Sequence, residues 1–408
     1  MYSLIATFND LDDPRHHRTR KHELTAVIVI ALLGIMSGAE SWVEVATFGR
    51  TRESWLRGFL SLPNGAPSHD TFGRVFARLD PNALQQRFLS WMGRLLSRIA
   101  GQHIAIDGKT VRGSHTGGDR KSAIHLVNAW SCTQGLFFGQ LKTADKSNEI
   151  TAIPELLAAL DIRGCLISID AMGCQVAIAQ KIIDGQGHYL LALKGNQPTM
   201  LQAAQRAFEQ IDAAQDIEQV AVLQPPAPVH DHDQTEAHRH NRDEVRRVWS
   251  MSVEDAVRIW DASQQAEAAR WPSLSTLVCI ESERQELGKP KSIHQRYFLA
   301  SDTLTAAQAG ATARAHWGVE NGLHWRLDVL FGEDASRVRT DHAPENFSLL
   351  RKVALNAIKA DTTKGSVNVK RFKAAMDPDF LLTLLKGVEA PPPFKKRSRR
   401  RTRKPRSP

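Results

Sequence analysis

The chain has 408 residues, of which 42% are hydrophobic, so it is long and apolar enough for two or three folded domains. Its formal net charge at pH 7 is +9, but residues 395–408 carry nine lysines and arginines and no acidic residue. Residues 1–394 are therefore formally neutral, which excludes a folded body that is basic as a whole. A basic tail attracts polyanions, above all nucleic acid, although the same composition is typical of a solubilising or disordered end.

The cysteine pattern and the hydropathy exclude two further classes of protein, disulfide-bonded secreted proteins and membrane-spanning proteins. The four cysteines show no CxxC spacing and the chain has no secretory start, so reduced thiols in a cytoplasmic protein are expected. The most apolar run, Ala26 to Met36, is too short to span a bilayer and predicts a buried helix.

Residues 1–98 predict a helical domain. Its helices are expected at 23–35, 41–48, 52–59 and 68–79. A cluster of arginine, lysine and histidine at 15–22 favours contact with phosphate.

The last of these helices carries a possible DNA-reading face. Ser68 or Asp70 is placed to cap its start, and its apolar side chains share one face. Arg74 and Arg78 lie four residues apart on another face. Short helices, a turn and an arginine-bearing helix are typical of a helix-turn-helix DNA reader, and equally of many helical bundles.

From residue 103 the hydrophobic period changes to that of strands. Strands are expected at 103–107, 124–131, 136–141, 165–170 and 188–193, with helices at 149–160 and 175–184. Three strands in succession, followed by strands that alternate with helices, predict a mixed α/β sheet: an antiparallel meander with parallel neighbours.

Residues 196–305 interrupt this pattern and predict a β-rich insertion. After a helix at 198–210, the polar stretch 224–241 is expected to form a loop, and 275–283 and 293–300 to form a hairpin. Between them, alternation places His240, Arg242, Glu244 and Arg246 on one face of a strand. That face suits either phosphate contact or plain exposure to solvent.

Two aspartates and one glutamate are the candidate catalytic residues. Asp107 and Asp170 each end an apolar strand, and Glu320 lies on the long helical pattern that begins at Ala306. An aspartate after a strand is commonly a turn or capping residue, but three converging carboxylates repel one another unless cations bind between them. Hard oxygen ligands select Mg²⁺ or Mn²⁺, and two such ions promote in-line phosphoryl displacement.

The helix around Glu320 repeats polar residues every four positions. His316, Glu320, His324 and Asp328 therefore share one face. A structural zinc site would need a further ligand, so we expect Glu320 to bind the catalytic metal and the histidines to contact phosphate or orient carboxylates. The two tryptophans of this segment, at 317 and 325, suit either the core or DNA stacking.

Four motifs carry a resemblance to a known family. They are Ile106–Ser114, Ile169–Gln175, Leu193–Gln197 and His316–Asn321 with its continuation to Val329. Together they resemble the DDE transposases of the H-repeat-associated insertion-sequence type. Asp13-Pro14-Arg15 and Pro67–Phe72 match that family's leading domain, and the resemblance covers residues 8–360.

The resemblance implies a ribonuclease H-like catalytic domain with Asp107, Asp170 and Glu320 as the metal-binding triad and two Mg²⁺ or Mn²⁺ ions as cofactors. It also implies a homodimer on DNA that acts on terminal inverted repeats and joins them to a target. The predicted parts are a helical DNA-binding domain 1–98, the first part of the catalytic core 99–195, a β-rich insertion 196–305 and the rest of the core 306–388. A disordered basic tail is predicted at 389–408 from its composition, and it corresponds to no motif of the family.

Related cut-and-paste enzymes surround the glutamate with tyrosine, arginine and lysine, where this chain has Ala313, His316 and Leu327. Arg314 is the candidate replacement, and Trp249 is by position the candidate for the tryptophan with which hairpin-forming relatives hold a flipped base. The residues assigned to DNA contact are Arg74, Arg78, Lys109, Arg112, Lys194, Arg242, Arg246, Trp249, Arg314, His316 and His324.

Three functions fit these features. The first is an active transposase, the second a domesticated metal-dependent nuclease, and the third a non-catalytic DNA-binding protein descended from a transposase. The presence of all three carboxylates argues against the third.

Overall fold

The computed structural model describes residues 2–93, 101–115, 119, 122–143, 149–216, 230–239, 242–286 and 288–389. The predictions for His240, for the side chain of Arg242 and for the basic tail from residue 390 lie outside the described residues. So do residues 224–229 and 240–241 of the predicted loop.

The described helices follow the predicted order closely. They are α1 Tyr2–Thr7, α2 Leu24–Met36, α3 Trp42–Thr51, α4 Glu53–Leu56, α5 His69–Arg78, α6 Pro81–Trp91, α7 Glu149–Ala158, α8 Val176–Asp184, α9 Pro198–Asp216, α10 Val253–Val257, α11 Ala262–Ala268, α12 Ala306–His316, α13 Trp325–Phe331, α14 Ala343–Ala360, α15 Val367–Met376 and α16 Pro378–Glu389. Among them, none combines the length and apolarity that a membrane span requires.

Helix α2 is buried on all sides, as predicted. All thirteen of its residues are buried, because it is apolar around its whole circumference and packs against α3 and α14. Helix α5 is instead amphipathic. Ser68 caps its first turn, Phe72 and Phe76 stack on Trp42, and Arg74 and Arg78 are exposed on the outer face, which confirms the predicted faces of this helix.

Nine strands form one mixed sheet in the order β3-β2-β1-β4-β5-β9-β8-β7-β6. The strands are β1 His103–Thr110, β2 His125–Ser131, β3 Leu136–Thr143, β4 Leu166–Ile169, β5 His188–Leu193, β6 His230–Arg239, β7 Arg242–Ser252, β8 Thr276–Glu286 and β9 Ser292–Ala300. β1 is antiparallel to β2 and parallel to β4, and β4 is parallel to β5. The predicted fold class, a ribonuclease H-like mixed sheet with flanking helices and a helical N-terminus, is confirmed.

The strands of the insertion extend the core sheet. β9 pairs with β5 in antiparallel fashion, Leu193 lying opposite Tyr297, and β8, β7 and β6 follow outwards. The predicted loop is wrong for residues 230–239, which form β6. This edge strand is polar because it buries little side chain. Its backbone pairing with β7, which hydropathy does not reveal, holds it in the sheet.

Helix α14 joins the helical N-terminus to the sheet. The amide of Asn346 donates to the carbonyls of Phe76 and Leu79, both at 2.8 Å. Six residues further along the helix, the buried ammonium of Lys352 donates to the side-chain oxygens of Asn128 and Gln140. Because these contacts lie on one helix, the N-terminal helices and the central strands share a single core.

Candidate metal centre

The two predicted aspartates lie side by side on neighbouring parallel strands. Ile106 of β1 is in register with Ile169 of β4, so Asp107 and Asp170 follow at the same edge of the sheet. The prediction that the first strand ends at Asp107 is wrong, since pairing with β2 continues it to Thr110. Asp107 is therefore fixed by backbone hydrogen bonds on both sides of its position.

Glu320 reaches the same place from the helical segment after α12. Residues 320–324 form a single π-helical turn, which places Gly322 against the indole of Trp130. Nδ1 of His324 lies 3.2 Å from Oε2 of Glu320 and 3.6 Å from Oδ2 of Asp107. Ligand atoms of these three residues lie within 4.8 Å of one another.

Asp170 stands beside this group and caps a turn. Its carboxylate accepts a hydrogen bond of 3.1 Å from the backbone of Met172. The amide of Asn196, in the loop after β5, donates to the carbonyl of Ala171 at 2.8 Å and so closes the loop over this turn. Asp170 is also near enough to act on the charges of Asp107 and His316.

The pKa values of the two carboxylates nearest His324 are shifted in opposite directions. Burial raises the pKa of Asp107 to about 6, with Asp170 adding to the effect and His324 opposing it. The hydrogen bond from His324 lowers the pKa of Glu320, whose side chain is 62% exposed. The edge of the sheet thus concentrates negative charge in a partly buried place, an arrangement that a cation stabilises.

His316 is directed into the sheet, where Nδ1 lies 2.8 Å from Oγ of Ser168. The same hydroxyl lies 2.6 Å from Nε2 of His103. Burial lowers the pKa of both histidines to about 4, so both rings are neutral at pH 7. The considered zinc site on one helix face is not assembled, because His316 is held by Ser168, away from the group formed by His324 and Glu320.

Lys109 anchors the helix that follows the glutamate. Its ammonium lies 2.6 Å from Oδ1 of Asp328 and 3.6 Å from Oδ1 of Asp334, and the side chain is only 9% exposed. The exposed Arg112 also contacts Asp334, at 3.4 Å. Lys109 therefore links β1 to α13. The sequence predicted that it contacts a DNA phosphate, and the ion pair gives it a structural role in supporting the site.

We expect Lys109→Met to lower the free energy of unfolding by about 1–3 kcal/mol, since it leaves the partly buried Asp328 without its cation and Asp334 with Arg112 alone. Urea denaturation measures this loss. The double variant Lys109→Met/Asp328→Asn should recover part of it, because the unpaired charge has gone. Strict additivity of the two substitutions would contradict the ion pair.

A buried pair behind Asp107 was not predicted from sequence. Nε2 of His125 lies 2.6 Å from Oε1 of Glu149, and both side chains are buried. A Cβ atom on Gly108 would lie 2.3 Å from that oxygen, so only glycine fits the position after Asp107. The only sequence signal was a glutamate at the start of a predicted helix, which is common.

The remaining predicted DNA contacts lie in three places. Arg74 and Arg78 border a cleft whose other side is the segment 336–341, which adds Arg337 and Arg339. Lys194 is exposed at the edge that carries Asp170. The third place, beside Glu320, is lined by Arg246 and Arg314 among others.

The three tryptophans considered for DNA contact, at 249, 317 and 325, lie in different surroundings. Val248 packs against Gly310 of α12, so Trp249 points to the opposite face of the sheet, where its ring lies 5.2 Å from that of His232. Trp317 and Trp325 are 56% and 51% exposed, so the core placement considered for them is wrong.

Comparison with known proteins agrees with this geometry. The model of the transposase DDE domain matches residues 99–357, and that of the DDE_Tnp_1-associated family matches residues 5–92. The chain is 37% identical to the "H repeat-associated putative transposase YhhI" of Escherichia coli K12 over 92% of this chain and 96% of that protein. It is 44% identical to a protein from the dhlA 3′ region of Xanthobacter autotrophicus, over 72% of this chain and 93% of that one.

Among solved structures, a piggyBac transposase synaptic complex with hairpin DNA matches at a TM-score of 0.40 and 9% identity, covering 97% of this chain and 79% of that one, too low a score to carry a conclusion. The family matches span most of the chain, and the relatives are matched over nearly their whole length. The chain belongs to the DDE transposases of the H-repeat-associated type.

Proposed function

We propose that this transposase cleaves DNA at the ends of a mobile element and joins those ends to a target by metal-dependent in-line phosphoryl transfer. The observation that carries the proposal is the convergence of Asp107, Asp170 and Glu320 at one edge of the sheet from three separate segments. Terminal inverted repeats as the recognised DNA, a homodimer on DNA and a cytoplasmic, nucleoid-associated location are parts of the same proposal.

The residues present fit a divalent cation. Asp107 is a partly buried carboxylate whose pKa is raised by burial, and Glu320 lies beside it with a pKa that the hydrogen bond from His324 lowers. Oxygen donors of this kind suit Mg²⁺ or Mn²⁺, and Asp107, Asp170 and Glu320 would hold two such ions. When bound, the ions supply Lewis acidity to the attacking and departing oxygens.

Other residues of the chain position these ligands. His324 bridges Asp107 and Glu320, and so sets the distance between strand and helix. Lys109 fixes the following helix through Asp328. Lys194, exposed at the same edge, is placed to meet a DNA phosphate.

The test uses purified protein, Mg²⁺ or Mn²⁺, and DNA that carries the inverted repeats found around the gene. End-specific cleavage and joining should be lost in Asp107→Ala, Asp170→Ala and Glu320→Gln. They should persist in the control Glu267→Gln, which removes a carboxylate on α11 away from the centre.

Cleavage without joining would replace this proposal with the nuclease alternative. Binding of the ends without cleavage in either metal would overturn both catalytic functions and leave a DNA-binding protein.

A further inference from the structure

Strands β7, β8 and β9 extend beyond the edge of the sheet that carries the aspartates. β5 ends at Leu193, opposite Tyr297, so residues 292–296 of β9 continue past it, as do their partners on β8 and β7. With β6 as its outer strand, this extension stands beside α12 and Glu320.

A pocket of about 310 Å³ lies between the extension and α12. We call it the arginine pocket. Four arginines, apolar side chains and the rim of the metal centre line it: Arg246, Arg284, Arg296 and Arg314, then Ile280, Phe298 and Ala313, and finally Trp317 and Glu320. Among these lining residues, four cations face one carboxylate.

Three of these arginines are held in place by neighbouring side chains. Oε1 of Glu244 accepts from Arg246 at 2.7 Å and from Arg284 at 3.2 Å, so one carboxylate orients two guanidinium groups. Arg296 stacks on Trp317, its guanidinium carbon 5.3 Å from the ring centre. Burial and the neighbouring Arg284 and Arg246 lower the pKa of Arg296, which shows that like charges are held close together.

The opposite face of the same strands differs in how its positive charges are paired. Arg247, next to Arg246 in sequence, donates to Glu281 at 2.8 Å and to Glu283 at 3.1 Å. Lys291 also contacts Glu283, at 2.7 Å. On that face the described cations Arg247 and Lys291 each have a carboxylate, whereas the described arginines of the extension's other face line the arginine pocket.

We infer that the arginine pocket binds the deoxyribose–phosphate backbone of the DNA strand next to the metal centre. Guanidinium groups match phosphate oxygens in geometry and charge, and the apolar floor suits a deoxyribose. Contacts of this kind position a strand without reading its sequence. The inference rests on the proposed function, since it takes the bound strand to be the one that reaches Glu320.

Full-length Arg284→Gln/Arg296→Gln tests this assignment. Binding to a duplex element end and to a duplex of unrelated sequence is followed by fluorescence anisotropy in EDTA across a range of salt concentrations. The slope of log K against log salt should fall in magnitude by about 0.9 for each lost phosphate contact, hence by about 2, with equal loss of affinity for both sequences.

The matched control is Arg247→Gln/Lys291→Gln, which removes two positive charges from the opposite face and should leave the slope within about 0.3 of that of the wild type. Arg296→Gln alone, at a residue with no ion pair among those described, serves if the double variant unfolds early. Its expected loss of slope is about 0.9.

An unchanged slope in the pocket variant, or an equal change in the control, would overturn the inference. A loss confined to one DNA sequence would do so too, because it would indicate base reading. These results are independent of catalysis: if the wild type fails to cleave in Mg²⁺ while the slopes behave as expected, the pocket stands and the proposed function falls.

Discussion

Asp107→Asn is expected to abolish DNA cleavage and, at the same time, to stabilise the metal-free protein at neutral pH. Loss of a metal ligand should lower the cleavage rate by about 10³ or more, since metal assistance contributes several kcal/mol to transition-state stabilisation. The gain in stability has a separate cause, which is the burial of the Asp107 carboxylate beside Asp170.

The direction of the stability change follows from the pKa of Asp107 in the unfolded and in the folded state. The pKa of Asp107 has its ordinary value of 3.8 in the unfolded chain and is about 6 in the folded protein. Below pH 4 the group is protonated in both states. As pH rises from 4 to 6 the unfolded chain loses the proton first, so the wild type loses stability. Above pH 6 the penalty is complete, at about 3 kcal/mol as an upper limit.

Urea denaturation in EDTA measures this difference. The asparagine variant should be more stable than the wild type at pH 7, and the gap should shrink to about half at pH 5. Glu320→Gln is the matched contrast, because the pKa of Glu320 is lowered and its removal should give no stabilisation. Added Mn²⁺ should raise the unfolding midpoint of the wild type more than that of Asp107→Asn. An asparagine variant less stable than the wild type at pH 7 would refute the electrostatic argument.

Gly113→Ala is expected to be the most damaging single methyl addition near the site. A Cβ atom at residue 113 would lie 2.2 Å from the carbonyl oxygen of Ser336 and 2.7 Å from that of Asp334. These are backbone atoms of the segment whose Asp334 contacts Lys109 and Arg112. The segment must move, so we expect a loss of about 3 kcal/mol in the free energy of unfolding and weaker cleavage.

Gly318→Ala provides the control for this substitution. A Cβ atom there meets nothing within 4 Å, although Gly318 lies only two residues from Glu320. We expect its stability to equal or slightly exceed that of the wild type, because alanine reduces the entropy of the unfolded chain. Equal unfolding midpoints for the two alanine variants would contradict this expectation, because they would show that the segment at 334–336 moves aside for the methyl group without loss of stability.

Much of the site was predictable because it depends on local pattern. The alternation before Asp107 and the apolar run before Asp170 indicate two strands, and the connection between them requires parallel neighbours. The four-residue spacing of Glu320 and His324 brings these two side chains together, whereas the end of α12 at His316 and the π-helical turn at 320–324 separate His316 from them. Period and topology were therefore sufficient to bring the candidate carboxylates to one edge.

The roles of their neighbours were not predictable. A helix face shows which residues point the same way, but not what they meet. His324 meets Asp107, and His316 meets Ser168 on β4. Lys109 suits phosphate from its sequence, yet its ammonium pairs with a carboxylate 219 residues away in the chain.

Composition and local periodicity were enough to predict the fold class, the two strands that bring Asp107 and Asp170 to one edge of the sheet, and the confinement of excess charge to the tail. The tertiary structure alone decided that polar residues 230–239 form an edge strand, that the insertion continues the core sheet, and that Trp317 rather than Trp249 lies beside Glu320. The physical reason is the same in each case. Which strands pair, and which face of a strand is covered, depends on residues distant in the chain. Their backbone hydrogen bonds and packing cannot be deduced from the local pattern.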